Sequence, residues 1–145
     1  MKYLNKLLPI LFIAVLLSCD KNKATPLTVE KKLAGTWSMS SVKIDGSDVS
    51  SDYSGFSITF DANLNYTITN GGTTFTQTSG QIAKSWDGDL DQVNVNLNGI
   101  TNQVTLAFSN DDKTLTLSFS VDNTTFGLGG RGEGLAGSYV FVLNK

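Results

Sequence analysis

The chain of 145 residues contains no histidine. Without an imidazole it can build neither a Ser-His-Asp or Cys-His nucleophile system nor a zinc site of the usual His and Cys ligands. Cysteine occurs once, at Cys19, so its thiol has no partner within the chain. Neither sign of charge dominates, because 11 basic and 13 acidic residues leave a net charge of -2. That balance lacks the basic footprint of nucleic-acid binding. Two prolines beside fourteen glycines do not make a disordered composition. The apolar run at residues 7–17 falls short of the roughly 20 residues a membrane-spanning helix needs. The length accommodates one domain with a core, and not two.

What is present begins with a leader. Lys2 and Lys6 precede the apolar run, and Leu16-Leu17-Ser18-Cys19 follows it, which together read as a signal peptide over residues 1–18. The last four residues resemble the lipobox of bacterial lipoproteins, in which a small residue precedes a cysteine that is acylated and becomes the new N-terminus. This resemblance implies lipid attachment at Cys19, a membrane partner reached through N-terminal acyl chains, and a place in the cell envelope at the outer membrane. Two or three acyl chains give an anchor that hardly dissociates, at about 0.8 kcal/mol per buried methylene. Residues 19–32 are expected to be the lipidated cysteine and a polar tether, and residues 33–145 the folded domain.

From residue 33 onward apolar and polar residues alternate with period two between turn signals. Phe56, Ile58 and Phe60 alternate with Ser57 and Thr59; Leu64, Tyr66 and Ile68 with Asn65 and Thr67; Val93, Val95 and Leu97 with Asn94 and Asn96. Two further sets, Val104 to Phe108 and Leu115 to Val121, repeat the pattern. Adding residues 33–44, 73–78, 81–86 and 138–143 predicts eight or nine short strands and no helix. Short turns such as Asn98-Gly99 favour pairing of consecutive strands. The fold expected is therefore all-β, an antiparallel up-and-down β-barrel, which removes exposed edges, with a β-sandwich as the alternative. A transmembrane barrel is excluded, since strands of about seven residues tilted at 45° rise about 16 Å against an apolar band of roughly 25 Å.

Gly35-x-Trp37 opening the first strand, the meander, and the closing strand at residues 137–143 resemble the lipocalin-like lipoproteins of Gram-negative bacteria. The resemblance implies a cup that binds a small, largely apolar ligand, with Trp37 closing the barrel floor against a basic side chain from the last strand. Residues 137–144 contain no Lys or Arg. An eight-stranded interior is only just wide enough for side chains to fill it, so ligand contacts are expected at the mouth.

Four aromatics with polar tips, Trp37, Tyr66, Trp86 and Tyr139, are the candidate ligand-binding residues, core packing being the alternative for each. Asp87, Asp89 and Asp91 place carboxylates at alternate positions, as calcium loops do, but Gln92 and Asn98 stand where an EF-hand needs Gly and Glu. A solvated turn is the reading adopted, with no metal, no cofactor and no enzyme activity expected. Residues 127–132 match G-x-G-x-x-G, yet they lead into a strand and not a helix, so no dinucleotide site follows. The functional expectation is a lipid-anchored envelope barrel that binds a small apolar ligand at its mouth. The alternative is a surface interaction module with a solid core that contacts protein or glycan.

Overall fold

The computed structural model describes residues 27–122 and 136–145. The leader, Cys19, the tether as far as residue 26 and the glycine-rich stretch 127–132 lie outside the described residues. The chain forms α1 (Val29–Leu33), β1 (Gly35–Ile44), β2 (Ser47–Asp48), a 3-10 turn (Ser50–Tyr53), β3 (Ser57–Phe60), β4 (Asn65–Thr69), β5 (Ser79–Gln81), β6 (Gln92–Val95), β7 (Val104–Ser109), β8 (Thr114–Val121) and β9 (Gly137–Asn144).

All nine strands belong to one antiparallel sheet in the order β5-β4-β3-β1-β9-β8-β7-β6, with β2 folded back on the end of β1. A single sheet curled into an open barrel is the up-and-down architecture, and not two facing sheets of a sandwich. Its turns have the chemistry they require. Asp45 and Gly46 both take positive φ (49° and 82°) in the β1–β2 hairpin, and Asn110, Asp111 and Asp112 do so between β7 and β8. Asn and Asp tolerate that region because their short polar side chains bond locally. Alternation then sends one set of side chains inward: Val104, Leu106, Leu115, Leu117, Phe141 and Leu143 are fully buried or nearly so.

Three expectations are corrected. Residues 73–78 do not form a strand, because Phe75 leaves the surface to fill the barrel, and a bond from Ile68 N–H to the Thr78 carbonyl ties the end of the segment to β4. Residues 82–86 do not continue β5, because Trp86 turns inward. Two short helical turns also exist where none was expected. In α1, Val29 and Leu33 are wholly buried and belong to the core, and Val29 lies within the stretch expected to be tether.

Candidate functional site

Aromatic rings pack against one another inside the barrel. The Phe75 ring lies 5.3 Å from Phe56, 5.5 Å from Phe141 and 5.7 Å from Phe119, centroid to centroid. Tyr53 meets Phe141 edge-on at 5.0 Å, and Phe119 stacks on Tyr139 at 5.1 Å with the rings almost parallel. These spacings lie in the range where aromatic pairs attract beyond the area they bury.

All four candidate ligand residues are buried, and each is engaged or closed in at a different place. Trp37 donates its indole N–H to the Leu33 carbonyl at 2.7 Å, which ties α1 to β1. Tyr66 accepts a 2.6 Å bond from the Asn98 N–H, and burial pushes its phenol up while that bond opposes the rise. Tyr139 is raised chiefly by burial, with Tyr53 and Thr74 beside it. Trp86 alone keeps an indole N–H that is buried without a partner among the described residues.

A basic partner for Trp37 comes from one residue beyond β9. Lys145 Nζ sits 5.0 Å over the Trp37 ring and donates to the Lys32 carbonyl at 3.0 Å. Gly35 makes the approach open, since with φ of +122° a Cβ there would lie 2.7 Å from Lys145 Cε. Burial lowers the Lys145 ammonium, against the pull of Asp112.

Lys32, only 4 % exposed, is the residue sequence reasoning missed. Its ammonium lies 2.7 Å from Asp89, 3.1 Å from Asp91 and 3.3 Å from Asp112, and 5.5 Å from the Phe108 centroid. Burial by itself would depress this ammonium, but the bonds to Asp89, Asp91 and Asp112 outweigh it and raise it above the ordinary lysine value. Two carboxylates of the alternating aspartate loop thus gather around a cation of the chain itself. Among the described residues no group of three acidic, His or Cys side chains could hold a metal ion. Lys32 shares the buried face of α1 with Val29 and Leu33, a spacing that by itself does not distinguish it from a solvated lysine.

The sheet path ends at β5 and β6, which do not pair with each other. One end of this seam is laced by Asn98, whose side-chain amide donates to the Ser79 carbonyl at 3.4 Å while its N–H reaches Tyr66. Gly80 lets the two strands come this close, because a Cβ there would fall 2.5 Å from the Asn98 amide. A groove of about 320 Å³ lies beside β6, lined by Ser85, Trp86 and Leu90, by Gln92, Val93 and Asn94, and by Gln103 just before β7. A separate pocket of about 280 Å³ opens at the mouth, lined by Thr74, Thr76, Ile100, Thr101, Asn102 and Ser120 among others. Of the four candidate aromatics, Trp86 lines the groove, and Tyr139 lines a further open depression of about 520 Å³ with Phe119, Ser138 and Val140.

Comparison of the chain with family models, with curated proteins and with solved structures finds no match.

Proposed function

We propose that this protein is a lipid-anchored barrel of the cell envelope, lipocalin-like in pattern, that works through its surface by contacting a partner macromolecule. The observation carrying this reading is the aromatic packing around Phe75, which occupies the space an internal ligand needs. Trp37, Tyr66 and Tyr139 support it, because each spends its polar tip or its ring on the protein itself. A carrier of apolar molecules needs a continuous cavity of a few hundred Å³ with such residues free to line it. The lipobox ending at Cys19 supports the anchor, and the reading places it at the outer membrane. One second reading is favoured by the mouth pocket, whose threonine hydroxyls suit a small ligand with hydrogen-bonding groups better than an apolar one.

Two measurements test the proposal. Cys19→Ala should move the protein from the membrane fraction to a soluble or uncleaved form, and unchanged fractionation and mass would overturn the anchor. An apolar fluorescent probe titrated into the folded protein should show no saturable binding. Saturable binding that a Tyr139→Ala variant loses while staying folded would overturn the surface reading.

A further inference from the structure

The surface reading leaves open which part of the surface is used, and the seam answers it. In an antiparallel ladder, opposed residues alternate between those that exchange backbone bonds and those whose N–H and C=O point away to the other neighbour. Phe108 N–H bonds the Asp91 carbonyl at 2.8 Å, and Gln92 to Val95 continue the same register opposite Ala107 to Val104. Asp91, Val93 and Val95 therefore face β7, while the backbone groups of Gln92 and Asn94 face the open side. On that side β6 has no strand partner among the described residues.

Three further features converge there. Leu90, at 40 % exposure, is one of two large apolar side chains left outside among the described residues, and it walls the groove. Trp86, which also lines it, carries the buried indole N–H that has no acceptor among the described residues. Charge is the third. The Asp91 side chain is 90 % exposed even while bonded to Lys32, and the 2.7 Å Lys84–Glu30 pair neutralises itself. Lys32 is shared by Asp89, Asp91 and Asp112, and Lys84 by Glu30 and the nearby Asp87, so five carboxylates face two cations and this flank is negative. A second copy of this edge would bring the same negative flank against it.

Building on the surface reading, we propose that the open edge of β6, Gln92 to Asn94, docks an extended, lysine- or arginine-bearing segment of a partner polypeptide, which joins the sheet as an added strand. Its backbone bonds the free groups of Gln92 and Asn94, its apolar side chains cover Leu90, and its cations meet Asp87 and Asp91. This is strand addition to a sheet edge, in which main-chain bonds hold the segment and alternate side chains select it.

The chain has two tryptophans, so its indole N–H signals report the site and an internal control. The probe is a blocked octapeptide of alternating Lys and Val, added to the ¹⁵N-labelled full chain in detergent micelles, with the Glu–Val octapeptide for comparison. The Trp86 indole signal should shift saturably with Lys–Val, while that of Trp37, bonded to Leu33, stays in place. Asn94→Pro removes a donor that faces the open side and leaves the β7 ladder intact, and it should weaken binding by at least about tenfold. Asp87→Lys leaves every backbone group in place and should reverse the preference between the two peptides. No Trp86 shift, equal binding by Asn94→Pro, or equal binding of both peptides would overturn the proposal. So would slow exchange of the Gln92 and Asn94 amides before any peptide is added, since the edge would then already be occupied by the tether or a second copy. Failure of these tests with no apolar-probe binding removes this site alone, whereas saturable probe binding removes the surface reading.

Discussion

Phe75→Ala tests whether the barrel is solid because of one ring. The side chain is fully buried, and its ring contacts three others at 5.3–5.7 Å. Removing roughly 100 Å² of apolar surface from the core costs about 2.5 kcal/mol at about 25 cal/mol per Å². The lost ring–ring contacts, at about 0.5–1.5 kcal/mol each, add to this. Relaxation works the other way, because residues 72–77 belong to no strand and Phe75 N–H makes only a 3.3 Å bond, to the Gly71 carbonyl. The expected loss is about 4 kcal/mol, within the range of about 3–5 for such truncations and a large share of a total of about 5–15. Urea denaturation followed by tryptophan fluorescence measures it. The space left, on the order of 100–150 Å³, is of the size that stays dry and takes benzene. Benzene should then raise the variant's midpoint and leave the parent's unchanged. A loss below about 1 kcal/mol, or a parent protein that benzene also stabilises, would refute the claim that Phe75 fills the interior.

Two further outcomes follow from Trp37 and the seam. Trp37→Phe keeps the ring and loses the donor to Leu33, leaving a buried carbonyl bonded only by what remains, so it should cost about 1–2 kcal/mol in the same assay; Trp37→Ala should cost about 3–5 kcal/mol. Alkaline pH should destabilise the fold. The folded-state values of Lys32 and Tyr66 are raised above ordinary values of 10.5 and 10.0, so the unfolded chain releases these protons first. Their contribution is complete below pH 10 and is lost as pH climbs above it. Urea midpoints measured from pH 8 to 12 should fall above pH 10, and fall less steeply in Lys32→Met.

The strands were legible because alternation is a local property and a half-buried sheet demands it. β3, β4, β7 and β8 sit where Phe56 to Phe60, Leu64 to Ile68, Val104 to Phe108 and Leu115 to Val121 place them, to within a residue or two at the ends. Phe75 and Trp86 were misplaced because nothing local distinguishes an aromatic in a strand from one that leaves the strand path to fill a hole. Lys32 was illegible for a different reason. A lysine after a polar segment reads as solvated, and the carboxylates that make its burial tolerable lie 57, 59 and 80 positions away, brought together only by the fold. Lys145 lay one residue past the closing strand in which a partner for Trp37 was sought. The free edge of β6 depends on what residues 82–91 do between two strands, which periodicity does not describe.

The pairing of β1 with β9 also sets an order of events. The sheet consists of two four-stranded curls, β5-β4-β3-β1 and β9-β8-β7-β6, and the register from Ser38 against Asn144 to Ile44 against Tyr139 is the ladder that unites them. Each curl is made of neighbours in sequence and can assemble as soon as its own residues are available. Their union requires the first strand to find the last, the slowest kind of search because the intervening chain must be closed into a loop. Until β9 arrives, one side of β1 has no neighbour and Trp37 lacks Lys145 above it. A chain made or threaded from its N-terminus therefore stays open along β1 until nearly all of it has emerged, and completes its core in a single late step.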